Sequence, residues 1–305
     1  MSVTTVHTLY GVKVESTYID QITNFTVSPN VNEWILAADG QVDPTFVAVG
    51  EARPVIGFTT TACKTALGTA GIAGKSFVIA NGGLLAYFQK VAEGSTRSAP
   101  GSSNHIKLTA DDGILLPRRM SATQGQVAEI EYEAVISSSD DNTPIATAAS
   151  QALDPAVAPT VGEAYTVGAV SLNGNTVNGV QSITVDFGLT EYVLAGDGSA
   201  WPTFVAINER RPSITVTTHD LDLITTGLAT GLDGVAQETT DSTIAFAEVT
   251  EGSAVRGGAS IIFTIDEGRI RYSAIGGRHG EPQVGTLTIT PTFDGTAAIM
   301  AISGV

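Results

Sequence analysis

Three stretches hold residues whose types and spacing could do chemistry. Gly68 to Ser76 ends in Gly74-Lys75-Ser76, the close of a phosphate-cradling loop. Such a loop needs its first glycine at position 69, which is Thr69, and a helix after the serine whose amides face the anion. Phe77-Val78-Ile79 reads instead as a strand, so a turn is predicted. Asp39-Gly40-Gln41-Val42-Asp43 offers oxygens, but a calcium loop needs more alternating ligands and a later bidentate Glu. A turn is predicted there too. His7, His105, His219 and His279 share no repeated spacing, which speaks against a metal site or a Ser-His-Asp triad and for histidines scattered on the surface. The acid pairs Asp111-Asp112, Asp140-Asp141 and Asp266-Glu267 fall at turn signals, where solvated carboxylates are common. Cys63 is the sole cysteine, which excludes intrachain disulfides and cysteine-based zinc sites. Catalytic, cofactor and metal residues are therefore not expected, and neither is an enzyme.

The residues that do recur are of another kind. Shifting the chain by 158 residues places Glu33–Thr60 on Glu191–Thr218 without a gap, and 16 of the 28 pairs are identical. The shared run holds Pro44-Thr45-Phe46-Val47-Ala48, then Glu51 and Arg53-Pro54; its partner holds Pro202-Thr203-Phe204-Val205-Ala206, then Glu209 and Arg211-Pro212. Beyond Glu93-Gly94-Ser95 and Glu251-Gly252-Ser253 the offset becomes 155, aligning Thr109, Asp111 and Gly113 with Thr264, Asp266 and Gly268. The length change falls in Gly/Ser/Pro-rich stretches near 94–104 and 252–259, as surface loops allow. Glu51, Arg53, Glu209 and Arg211 are the candidate site residues. Two readings stay open for them: a fold-defining ion pair beside a core strand, or a subunit contact made once by each copy. Exposed isolated pairs contribute only about 0–1 kcal/mol, which favours a contact role.

The elements that must position these residues are strands. Ile183-Thr184-Val185-Asp186-Phe187, Ser213 to Thr217 and Leu287 to Phe293 alternate apolar and polar side chains, as do runs in the first copy. Asp39-Gly40, Asn81-Gly82-Gly83 and Asp197-Gly198 mark tight turns. One short helix is predicted per copy, at Thr61 to Gly68 and at His219 to Leu228. The fold class is mainly β: two tandem, similar β-sandwich or half-barrel domains of seven or eight strands, each with one short helix. The expected bounds are 1–142 and 163–305, joined by an Ala/Pro-rich linker at 143–162. Trp34, in Trp34-Ile35-Leu36-Ala37, reads as core.

Composition sets further limits. The chain carries 15 Lys and Arg against 31 Asp and Glu, a formal charge of −16, which disfavours a surface for polyanions. No run of about 18 apolar residues exists for a membrane helix. The start, Met1-Ser2-Val3-Thr4-Thr5, shows no secretory leader.

Taken together, the duplication, the strand-rich pattern with one helix per copy, the long loops near 94–104 and 252–259 and the acidity resemble the tail tube (major tail) proteins of long, non-contractile tailed viruses, of the kind with a duplicated tube domain. The resemblance is architectural and spans nearly the whole chain. It implies a virion structural protein, assembled in the host cytoplasm, whose homotrimers form pseudo-sixfold rings stacked into a hollow tube. DNA would pass through the lumen without specific binding; tape measure, terminator and distal tail proteins would be its partners, with no membrane and no cofactor. Acidic walls suit that passage, because basic ones would retain DNA. The alternatives are a tandem β-sandwich binding or adhesion module, with Trp34, Tyr192 and Trp201 as stacking platforms, or a capsid-decorating or terminator protein.

Overall fold

A computed structural model describes residues 4–140, 142–154, 162–196, 198–223, 228, 235–237, 240–252, 256, 260–293, 295 and 298–305. The chain opens with β1 (Thr5–Val14), β2 (Thr17–Ile19), β3 (Ile22–Ser28), β4 (Val31–Leu36), β5 (Phe46–Ala52) and β6 (Val55–Thr60). Helix α1 (Cys63–Ala70) follows, then β7 (Lys75–Phe77), β8 (Leu84–Ala92), β9 (His105–Ala110), β10 (Asp112–Thr123), β11 (Glu129–Ser137) and β12 (Ile145–Gln151). The second half holds β13 (Tyr165–Leu172), β14 (Asn175–Val177), β15 (Val180–Asp186), β16 (Leu189–Leu194), β17 (Phe204–Arg210) and β18 (Ser213–Thr218). It ends with β19 (Val235–Gln237), β20 (Ser242–Glu248), β21 (Ile261–Ile265), β22 (Gly268–Gly276), β23 (Val284–Pro291) and β24 (Ala301–Ser303).

The fold is mainly β, as alternation in the sequence predicts. In β6 and β18 every second side chain is buried: Ile56, Phe58 and Thr60 in one, Ile214, Val216 and Thr218 in the other. Each half has more strands than the seven or eight expected, in part because β2, β7, β14, β19 and β24 are only three residues long. Such short pieces leave too few alternating positions to register as a pattern. Ile145–Gln151, inside the span expected as a linker, is a strand paired with β9; residues 155–161 of that span lie outside the described ones. The helix expected at Thr61–Gly68 is α1. Its Cys63, Ala66, Leu67 and Ala70 face the core at helical spacing, and Glu163 of the second half accepts the N–H of Thr65 at 2.9 Å in its first turn. At the counterpart, residues 221–223 are helical and 224–227 lie outside the described residues.

The sheets tie the halves together. A five-stranded sheet in the order β12-β9-β8-β1-β2 belongs to the first half, and one in the order β14-β13-β20-β21-β24 to the second. A ten-stranded sheet draws on both halves, β19-β22-β23-β18-β15-β10-β11-β6-β3, with β7 also on β10. One half supplies β3, β6, β11 and β10, the other β15, β18, β23 and β22, in the same order. The seam is β10 against β15. A single apolar cluster runs through both halves, from Val12 and Phe58 to Phe263 and Leu287. Two ribbons, β4-β5 and β16-β17, stand outside these sheets.

Buried acids of high intrinsic pKa give this core a pH limit. Tyr132 stacks on Phe58 with ring centroids 5.4 Å apart, and burial pushes its phenol well above the ordinary value of 10.0. Burial raises Tyr87 to about 12, and raises Tyr165 and the Cys63 thiol as well. A raised folded-state value means the native chain holds these protons more tightly than the unfolded one. Their stabilisation is full below the unfolded values, 9.0 for the thiol and 10.0 for the phenols, and drains as pH rises through the folded ones. The urea midpoint is therefore expected to hold up to about pH 9 and to fall steeply between about pH 10 and 12; a flat midpoint to pH 12 would show that these groups titrate alike in both states.

Candidate functional site

The segment ending in Gly-Lys-Ser is no phosphate cradle. Lys75 and Ser76 lie in β7, hydrogen-bonded to β10, and Lys75 pairs with Glu15 at 2.8 Å. Asp39-Gly40 is the turn of the β4-β5 ribbon, where Gln41 N–H reaches the Ala38 carbonyl. Among the described residues no group of three His, Cys, Asp or Glu is placed to hold a metal ion. Asp112 accepts the N–H of Ile79, and Asp140 closes a local turn onto Asn142, so these acids are turn acceptors. Asp141 lies outside the described residues. His105 departs from the surface reading: it is fully buried, its Nδ1 accepting the Lys90 N–H at 3.0 Å and its Nε2 lying 3.0 Å from the Ala99 carbonyl. Those contacts call for a proton on Nε2 and anchor the 94–104 loop.

Trp34 is a second correction. It is 57% exposed, not core, and a Cβ on Gly50 would meet its Nε1 at 2.5 Å. Nor are the Pro-Thr-Phe-Val-Ala runs core strands: Phe46, Val47 and Phe204 are exposed. These residues belong to two-stranded ribbons, and a ribbon has no second layer over its outer face. In β16-β17 the outer face carries Tyr192, Leu194 and Phe204 while Val193 and Val205 pack on the core; β4-β5 is bare on both faces, with Trp34, Leu36 and Phe46 on one and Ile35 and Val47 on the other.

The four candidate residues form two separate local pairs at the bases of the ribbons. Arg53 donates to Glu51 at 2.9 Å and Arg211 to Glu209 at 2.7 Å, all four exposed. Each pair spans two residues of one chain segment and bridges no layers.

The two halves meet at the seam. Register runs from Arg119↔Asp186 through Met120↔Val185 to Thr123↔Ser182, extended at its ends by Phe187 N–H to the Arg118 carbonyl and Gln124 N–H to the Gln181 carbonyl. Met120 and Val185 are both at 0% exposure. Beside the ladder, the β16-β17 ribbon of the second half lies across β10 and β11 of the first. Arg118 clamps it, donating to the Leu189 carbonyl and pairing with Glu133 and, at 2.9 Å, with Glu191. The ribbon tip is pinned by main chain: Ala52 N–H to the Ala200 carbonyl at 2.8 Å and Ser138 N–H to the Pro202 carbonyl at 2.7 Å.

Counterparts of this seam lie on β3 and on β22 beyond the three residues that β19 pairs, with no strand against them among the described residues. β3 pairs only with β6, and β22 past Arg271 only with β23. Ile275, 155 residues after Met120, is 44% exposed, and Val27, 158 residues before Val185, is 38% exposed. At the ribbon tip, Val42 and Pro44 correspond to Ala200 and Pro202, while Arg210 and Phe293 correspond to Ala52 and Ser138. Val42 is 97% and Phe293 66% exposed. The Nε and Nη2 of Arg210 are buried and have no hydrogen-bond partner among the described residues, and burial pushes this guanidinium below its ordinary pKa. Arg269 and Arg271 line a groove on the exposed face of β22 with Thr290 and Thr292, without an ion-pair partner among the described residues.

Compared with known proteins, the chain matches no family model and no curated protein. The residues at the open ends escaped sequence reasoning because that reasoning followed identities between the halves. The differences carried the signal: Asp43 against Trp201, Ala52 against Arg210, Met120 against Ile275.

Proposed function

We propose that this chain is a structural protein that assembles with copies of itself, edge to edge, into closed rings that stack as a hollow tube. The reading follows the resemblance to duplicated tail tube proteins: trimeric rings of pseudo-sixfold symmetry in a virion tail, with DNA passing through at ejection and other tail proteins at the ends. One observation supports it above the rest. The chain contains a complete strand-to-strand seam, and β3 and the end of β22 hold counterparts of its two sides with no strand against them among the described residues. A joint between unlike surfaces repeats from copy to copy until rotation closes a ring. Open edges of this size are otherwise an aggregation liability.

Electron microscopy of the concentrated protein tests this reading, with rings or tubes expected and monodisperse single chains as the outcome that overturns it. Within the same assay Arg211→Glu is expected to reduce assembly several-fold. It should leave the melting temperature within about 2 °C, since an exposed pair adds little to the monomer. Equal loss of both would make Arg211 a residue of the fold. The aromatic outer faces of the ribbons, with Trp34 and Tyr192 both half-exposed, favour a second reading as a glycan-binding module. Glycan-array binding by a chain that never assembles would establish it instead.

A further inference from the structure

Resting on the assembly reading, the structure assigns a partner to the orphaned guanidinium of Arg210: we propose that it receives Asp43 from the first ribbon of the next copy of this chain. Inside the chain, the tip of the second ribbon seats its Ala200 carbonyl on the N–H of Ala52, next to Trp201. Moving that contact to the open ends places Val42 on Arg210 and sets Asp43 beside it. The two versions of the contact differ in chemistry. The internal one puts a large indole at the tip and a methyl at the base; the open one puts a carboxylate at the tip and a guanidinium at the base.

Three further features fit a second copy as the occupant. Asp43 is exposed and has no ion-pair partner among the described residues, while Arg210 has buried nitrogens with no acceptor. A buried polar group without a partner is costly, and a guanidinium that swings out of its buried position to an incoming carboxylate would have both nitrogens satisfied by one bidentate pair. Charge is also complementary across the joint: Glu33, Asp39 and Asp43 stand on the incoming ribbon, and Arg210, Arg269 and Arg271 on the receiving side. Finally, the Pro202-to-Ser138 bond maps onto Pro44 and Phe293, so the exposed Phe293 would be covered by Pro44 there, as Val42 would be at Arg210.

The pair does more than add attraction. It makes the tip of the first ribbon a poor fit for the internal socket at Ala52, and the tip of the second a poor fit for the Arg210 socket. Each ribbon is thereby directed to its own seat, which favours one mode of joining over mispaired ones.

Charge exchange tests the assignment. Asp43→Arg is expected to raise the concentration needed for ring formation at least about 30-fold in sedimentation assays, at an unchanged urea midpoint, because Asp43 lies on an exposed turn. Asp43→Arg with Arg210→Asp should recover assembly, and so should Asp43→Trp with Arg210→Ala, which installs the chemistry of the internal contact. If the wild-type chain assembles and Asp43→Arg assembles equally well, the pair is wrong while the ring reading stands. The pair is equally wrong if both double variants fold yet stay apart. A wild-type chain that remains monomeric at every concentration removes both.

Discussion

Ile275→Asp is expected to abolish ring formation while changing the unfolding free energy of the single chain by less than about 1 kcal/mol, the usual range for an exposed position. Its counterpart in the seam behaves oppositely. Met120→Asp places a carboxylate at a fully buried position facing Val185 and is expected to cost more than about 4 kcal/mol, enough to unfold much of the population. The contrast is informative because both residues occupy the same place in equivalent strands. In one the neighbouring strand is supplied by the same chain; in the other no strand lies alongside among the described residues, and the assembly proposal has a second copy supply it. Urea melts and sedimentation velocity on both variants check the pair of outcomes. An Ile275→Asp chain that still forms rings would mean that β22 and β3 do not meet, whatever else holds copies together.

The second large effect lies at Arg118. This side chain is half-buried between Glu133 of the first half and Glu191 of the second, and it also caps the Leu189 carbonyl. Arg118→Met leaves two carboxylates facing each other without a cation and is expected to cost about 2–4 kcal/mol, somewhat below the range for a fully buried pair because the site is partly wet. The loss should be local first. Amide exchange in residues 189–210 is expected to quicken before that of the central strands, since the clamp holds the ribbon and not the sheet. Adding Glu133→Gln and Glu191→Gln to Arg118→Met should restore about half of the stability by removing the repulsion. If the triple variant is no better than the single one, the packing of the Arg118 stem, and not its charge, holds the ribbon.

Both expectations bear on how rings of this chain would be made. The ladder between β10 and β15 supplies directional hydrogen bonds, and the ribbon laid across β10 and β11 keeps the two strands from sliding. Register slips are the usual hazard of edge pairing, since a shift by one residue turns every side chain to the wrong face. Here main-chain bonds at Ala52 and Ser138 fix the ribbon tip and so fix the register. Repeating the arrangement between molecules would carry the same safeguard to each joint.

Much of this architecture was legible in the residues. Alternation at Ser213–Thr218 and Ile183–Phe187 marked strands because burial of one face imposes a period of two. The helix expected at Thr61–Gly68 was visible as the counterpart of His219–Leu228, whose first turn is acidic and whose end holds a glycine; it runs over Cys63–Ala70. Trp34, His105 and the Pro-Thr-Phe-Val-Ala runs were not legible. Apolarity states what a side chain loses in water, but not whether a second layer exists to cover it. That coverage is settled by partners far along the chain: Trp34 lacks a layer because β4 joins only β5, and His105 is buried because the 94–104 loop folds back over it. The seam was hidden for the same reason, since Met120 and Ile275 look alike as residues. Only the tertiary structure decided that one of them already has its strand and the other has none among the described residues.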